Sequence, residues 1–263
     1  MATNEAHTLW KHNKARLFAS LLSGNQQVWY EVRYMALARI ARRAGFELYG
    51  RNLSWTRDAA FLQAWKKFPE ARKIVRDRNF ALYNFVQALR AVPGDLAECG
   101  VFRGASSYLA LAASRNTGKH LHGFDSFQGL SKPETQDEIS TGYTFKWEEN
   151  DLATEENDAR ANLASFKGQY TFYKGWIPER FAEVADKTFS IVHIDVDLYQ
   201  PTRDSIEFFY PRLSAGGLAI CDDYGFLSCP GARRAMDEFA ESQGKSVVHL
   251  PTGQGILFRT VDS

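Results

Sequence analysis

Cysteine is scarce in this chain of 263 residues: there are three, Cys99, Cys221 and Cys229, and no CxxC spacing. An odd count cannot pair completely, and without paired spacing neither a disulfide framework nor a zinc site is indicated. Cys99 and Cys221 each end an apolar run, where a thiol serves as a small core residue, so reduced, cytoplasmic surroundings are expected. Long apolar runs are missing too. None approaches the roughly 20 residues that a membrane span needs, and the opening segment carries no apolar core followed by a small-residue cleavage site. Neither a membrane segment nor a secretory leader is expected. Net charge is also nearly absent, since 32 Lys and Arg stand against 31 Asp and Glu. So small a balance provides no field to draw the whole molecule to nucleic acid or anionic lipid. Charge segregates only locally, basic through Lys11, Lys14, Arg16, Arg33, Arg39, Arg42 and Arg43 and acidic from Glu134 to Asp158, the pattern of solvated faces. Repeats and low-complexity tracts are lacking, and 44% hydrophobic with 24% charged residues is the composition of an ordered globular chain.

The rhythm of what is present divides the chain in two. Loosely helical spacing of Leu17, Leu21, Val28, Val32, Met35 and Ile40 predicts helices between Leu9 and Phe46, and a second helical stretch runs from about Thr56 to Leu89. Pro93-Gly94 then breaks the pattern. An N-terminal helical extension, residues 1–92, is thus expected to precede a domain of residues 93–263. In that domain short apolar strands alternate with helical segments, the signature of βαβ units on a parallel sheet. Strands are expected at Asp95 to Cys99, His120 to Phe124, Tyr170 to Tyr173, Ser190 to Ile194, Leu218 to Cys221, Ser246 to Leu250 and Gly255 to Arg259. Helices are expected at Ala105 to Ser114, after Pro178, at Thr202 to Tyr210 and at Gly231 to Ser242, with Ser214 to Gly217 as a turn. Seven strands ending in a close pair suit an α/β, doubly wound sheet whose last strand is antiparallel. A polar insertion at about 132–158 interrupts the alternation and has the length of a lid or binding loop.

Ligands of open parallel sheets bind beyond the carboxyl ends of the strands. There, the first strand runs into Glu98-Cys99-Gly100-Val101-Phe102-Arg103-Gly104-Ala105-Ser106. Its two glycines permit a tight turn and a close ligand, although a plain βα turn would use them as well. GxGxxG is absent, so a cofactor without phosphates suits the loop better than a dinucleotide does. The second strand leads to Asp125, positioned either to accept hydrogen bonds from ribose hydroxyls or to cap the chain that follows. Further on, His193-Ile194-Asp195-Val196-Asp197 closes the fourth strand and Cys221-Asp222-Asp223 the fifth. On adjacent strands these tips lie about 5 Å apart, and uncompensated anions so close cost several kcal/mol. A divalent cation relieves that repulsion, and oxygen ligands favour Mg²⁺, with Mn²⁺ or Ca²⁺ as substitutes. His193 shares a strand face with Asp195 and is a ligand, a base or a satisfied core histidine. Trp176 stacks on an adenine or plugs the core.

The strings AECGVFRGASSYLA, FDSFQGL, VHIDVDLYQPTRDSIEFFYPRLSAGGLAICDDYG and CPGARRAMDEF resemble the macrocin O-methyltransferase family over roughly Pro93 to Phe239. The resemblance implies a class I methyltransferase, Rossmann-like fold, S-adenosyl-L-methionine as cofactor, Mg²⁺, and O-methylation of a sugar hydroxyl, often a deoxysugar on a natural product. It implies Asp195, Asp222 and Asp223 as metal ligands and Asp197 as general base. Glu98 with Gly100, Arg103, Gly104 and Ser106 would cradle the methionine part, and Asp125 with Ser126 the ribose. It also implies a homodimer or larger assembly. Catechol-type enzymes place a lysine just after the first aspartate, where this chain has Leu198 and Tyr199. The rival readings are a nicotinamide-dependent sugar oxidoreductase, which would want a pyrophosphate loop, and a non-catalytic adenosine-binding module, which would not need clustered aspartates.

Overall fold

The computed structural model describes residues 22, 26–46, 58–68, 76–139 and 146–260. The chain forms two units, residues 1–58 and 59–263. In the first, helix α1 (Gln26–Arg43) ends on Arg42 and Arg43, cations that complement the negative end of a helix dipole. The helices expected upstream of Gln26 lie, save for Leu22, outside the described residues. Among the described residues no helix is long and apolar enough to cross a membrane.

The second unit starts with α2 (Ala59–Trp65) and α3 (Arg76–Ala88). A single helical stretch was expected here, but the chain turns at Lys66–Phe68, just ahead of Pro69. The residue before a proline is pushed out of the α region. Both helices pack on α4 (Ala105–Ala113) and bury Phe61, Trp65, Leu82 and Val86. Each such side chain is worth about 1.5–3 kcal/mol, and both helices belong to the unit of residues 59–263.

Seven strands form the sheet: β1 (Asp95–Cys99), β2 (Leu121–Asp125), β3 (Tyr170–Lys174), β4 (Phe189–Ile194), β5 (Leu213–Cys221), β6 (Val248–His249) and β7 (Gly255–Phe258). Their order is β3-β2-β1-β4-β5-β7-β6, with β1 to β5 parallel and β7 antiparallel to both neighbours. This is the α/β architecture expected. All six residues of β4 are buried, as in a parallel strand covered on both faces. One cover is the pair α6 (Tyr199–Phe209) and α7 (Pro230–Ser242), which pack together and bury Ile206, Phe209, Met236 and Phe239.

Local differences have local causes. The turn expected at Ser214 to Gly217 lies inside β5 as an irregularity, because Leu213 pairs with Phe189 but Leu218 with Ile191; the surplus residues leave the ladder as in a bulge. After Pro178 there is a single 3-10 turn, Phe181–Val184, in place of an α-helix. The insertion ends in a helix that was not expected, α5 (Glu156–Asn162), whose first turn carries Glu156 and Asp158, acids that favour a helix N-terminus. Strand order reverses between β1 and β4, and a crevice opens at their carboxyl ends.

Candidate active site

A cavity of about 980 Å³ occupies that crevice, walled by the segments that follow β1, β2, β3, β4 and β5. Its glycine wall is built by strand-tip geometry. Gly100 has φ +88°, and a Cβ there would overlap the Asp195 carbonyl oxygen. Only glycine lets β1 turn away so close to β4. Gly104 precedes α4 in the left-handed region, φ 78°, and a Cβ there would stand 2.6 Å from Leu163 Cδ1. Asp125 ties the loop down: its Oδ2 accepts the Val101 and Phe102 N–H groups (2.7 and 2.8 Å), and its Oδ1 accepts the Phe127 N–H (2.6 Å). A carboxylate has about four acceptor sites, so one remains for a ligand.

Glu98 lies under the cavity rather than on its wall. It pairs in register with His193 across β1 and β4, so both side chains project from one sheet face. Ser107 of α4 donates to Glu98 Oε2, and His193 Nδ1 lies 3.2 Å from Glu98 Oε1. His193 Nε2 stands 3.3 Å from Asp222 Oδ1 yet has no hydrogen-bond partner although buried.

The opposite wall is acidic. After Asp195 the chain makes a three-residue turn closed by the Leu198 N–H to the Val196 carbonyl (2.6 Å), with Asp197 at φ 60°. A left-handed aspartate in such a turn stores backbone strain, a feature that clusters at functional sites. The turn is held from β5, since the Asp197 N–H donates to Asp223 Oδ2 (3.0 Å). Two groups of possible metal donors occur among the described residues: His193, Asp195 and Asp222, and beside them Asp197, Asp223 and Cys229. The three aspartates expected to act together are therefore divided between neighbouring groups. Burial, then the charge of Asp195, pushes the Asp197 carboxyl up to about 7. Burial, then Asp197 and Asp195, drives Asp223 well above the usual carboxylate range. Such an oxygen-rich site, with four aspartates against the single Arg78 guanidinium and a buried imidazole nitrogen without a hydrogen bond beside it, fits a hard divalent cation.

Gly100, Arg103, Ser106, Asp125, Ser126, Trp176, Asp195, Asp197, Asp222 and Asp223 all line the one cavity, whereas Glu98 and Gly104 lie behind it. Other residues join them without a sequence signal. Arg78 of α3 contacts Asp222, and Gln254, fully buried at the start of β7, donates to Asp222 Oδ1 (2.6 Å). From the insertion, Asp137 Oδ1 accepts the Tyr199 N–H at the start of α6 (2.7 Å), and Trp147 Nε1 donates to the Ser228 carbonyl (3.0 Å). The acidic composition of the insertion marked Asp137 as a solvated charge; it is buried.

Known proteins resemble this chain in sequence and fold. Tetracenomycin-C 4'-O-methyltransferase acting on the 8-demethyl-8-(2,3-dimethoxy-alpha-L-rhamnosyl) form, from Streptomyces olivaceus, is 34% identical over 178 residues, 64% of this chain and 66% of that protein. Demethyldecarbamoylnovobiocin O-methyltransferase from Streptomyces niveus is 32% identical over 157 residues, 56% of this chain and 58% of its own length. The chain thus spans less than two thirds of each of these relatives. Among solved structures, the O-methyltransferase NovP superposes with a TM-score of 0.56 at 28% identity, covering 69% of this chain and 80% of that one. The calicheamicin methyltransferase CalS11, at 18% identity with a TM-score of 0.60 over 81% of this chain and 93% of its own, shares the fold. Residues 72–250 match the macrocin-O-methyltransferase (TylF) family, a stretch that starts upstream of the motifs and takes in α3 with Arg78. With more than half of its residues matched, the chain belongs to the macrocin-O-methyltransferase (TylF) family.

Proposed function

We propose that the protein transfers the methyl group of S-adenosyl-L-methionine to a hydroxyl of a sugar on a glycosylated natural product, and that it uses a divalent cation, Mg²⁺ by preference. The observation that carries this reading is one cavity with a glycine loop on one wall and four aspartates on the other. The relatives support the acceptor class, because the first is named for a rhamnosyl tetracenomycin. The loop also favours an adenosyl cofactor over a dinucleotide: the Val101 and Phe102 N–H groups are already taken by Asp125 and do not open toward a pyrophosphate.

In this reading Gly100, Arg103 and Ser106 flank the methionine part, Asp125 and Ser126 meet the ribose, and Trp176 stacks on the adenine. Glu98 acts from below by holding His193. Asp195, Asp222 and Asp223 hold the cation. When bound, the cation supplies positive charge to a developing alkoxide, and the sulfonium cofactor supplies an electrophilic methyl. The chain contributes orientation, worth up to about 7 to 11 kcal/mol in intramolecular models, and a base. Asp197 Oδ1 accepts a hydrogen bond from Cys229 Sγ (3.4 Å), and its Oδ2 is left to take the acceptor proton. A carboxylate on the cavity wall beside the cation is placed to serve as that base. Three buried, free cysteines agree with a reducing, cytoplasmic setting, and a homodimer or larger assembly is the expected state in sizing chromatography.

The test is incubation with isotopically labelled cofactor, Mg²⁺ and a panel of glycosylated metabolites, read by mass spectrometry. Asp195→Asn should abolish labelled product while calorimetry shows cofactor affinity little changed. Full turnover by Asp195→Asn under strict chelation would refute the metal role.

A further inference from the structure

The acid wall already carries a cation of its own. Arg78 Nη2 contacts Asp222 Oδ2 and lies 3.7 Å from Asp223 Oδ1. The other oxygen of each aspartate is engaged: Asp222 Oδ1 accepts from Gln254 Nε2 (2.6 Å), and Asp223 Oδ2 accepts the Asp197 N–H (3.0 Å). One oxygen of each aspartate, Asp222 Oδ2 and Asp223 Oδ1, therefore faces the same guanidinium nitrogen.

The surroundings leave this cation incompletely satisfied. An arginine fixed for good in a buried site satisfies its Nε and presents a two-nitrogen fork to its partner. Arg78 meets both aspartates through the one nitrogen, and its Nε is buried with no hydrogen-bond partner. Its guanidinium carbon lies 4.3 Å from the centre of the Phe226 ring, a face that attracts the charge without supplying a hydrogen-bond acceptor. A second buried nitrogen, His193 Nε2, is also unpartnered and aims at Asp222 from the sheet side.

We propose that Arg78 is a displaceable counter-ion, which lies between the Asp222 and Asp223 carboxylates in the metal-free protein and is moved off them when a divalent cation binds. This inference rests on the divalent-metal reading given above. It makes α3 a gate on metal loading. The guanidinium stabilises the metal-free state and lowers the apparent metal affinity by the same amount, because a ligand gains only from the state it prefers.

Mn²⁺ titration followed by the loss of the free-ion paramagnetic signal tests this without cofactor or acceptor. It compares wild type, Arg78→Gln and Arg78→Lys, with metal-free melting temperatures alongside. Arg78→Gln should bind Mn²⁺ about tenfold tighter or more, since removing one partner of a buried pair raises the free state. Its metal-free melting temperature should fall, and saturating Mn²⁺ should restore it. Arg78→Lys keeps a compact charge, should fold without metal, and should fall between the two, so it carries the comparison if the glutamine variant does not fold. Mn²⁺ binding by wild type, with equal or weaker binding by both variants, overturns the counter-ion role and leaves the metal reading standing. Absence of binding in all three proteins sinks the metal reading and makes Arg78 a permanent partner, which overturns the proposal as well.

Discussion

Gly100→Ala probes the closeness of two strand tips on which the candidate site depends. The added Cβ would overlap the Asp195 carbonyl oxygen and stand 2.9 Å from its carbon. That carbonyl cannot retreat alone, because the Asp195 N–H bonds the Cys99 carbonyl (2.8 Å) and the Asp222 N–H bonds the Ile194 carbonyl (2.8 Å). Two costs add. Alanine at φ +88° loses about 1–2 kcal/mol to left-handed strain, and forced overlap in a packed site costs about 1–3 kcal/mol. The expected loss is thus about 2–5 kcal/mol in urea unfolding, together with weaker Mn²⁺ binding as Asp195 moves. Gly118→Ala is the control: φ is +76° but nothing lies within 4 Å of its Cβ, so only the strain of about 1–2 kcal/mol applies and metal affinity stays unchanged. A Gly100→Ala loss no larger than that of Gly118→Ala would refute the close approach.

Two further outcomes follow from groups outside the acid wall. Asp137 accepts the Tyr199 and Glu134 N–H groups (2.7 and 3.0 Å), so Asp137→Ala should cost about 1–2 kcal/mol of stability, as loss of a helix cap does. It should also raise KM for the acceptor more than it lowers kcat, and unchanged urea stability would count against the cap. At the amino end of β1, burial acts to raise the Asp95 pKa, but the hydrogen bonds from His122 and the His120 N–H outweigh it and hold it below the ordinary value. A depressed carboxylate contributes stability that is present above the unfolded value of about 3.9 and lost as pH falls through the folded value. Asp95→Asn should therefore be less stable than wild type at pH 7, by a gap that narrows as pH falls below the unfolded value. A gap that stays constant as pH falls rejects the linkage.

Much of the frame was legible because each piece is local. The β1 bounds agree with expectation and those of β4 differ by one residue, since a run such as Ser190 to Ile194, closed by an aspartate, states both the strand and its tip. The glycine loop and the Asp195, Asp197, Asp222 and Asp223 tips were readable for the same reason, and they do meet in one cavity. The long insertion stood out by composition, but its buried anchor Asp137 did not, because a capping aspartate and a solvated one are spelled alike.

Partners that meet from far apart in the chain carried no such spelling. Arg78 reaches Asp222 across 144 positions because α3 packs on α4, and no motif on α3 announces it. Gln254 arrives because β7 inverts and runs back along β5. Glu98 was expected on the cavity wall, yet the β1–β4 register turns it toward His193 beneath. Alternation along a strand or a helix is a property of neighbouring residues and can be read from their order. Which faces come together, and which carboxylate oxygen then remains open, follows from the packing of many side chains at once.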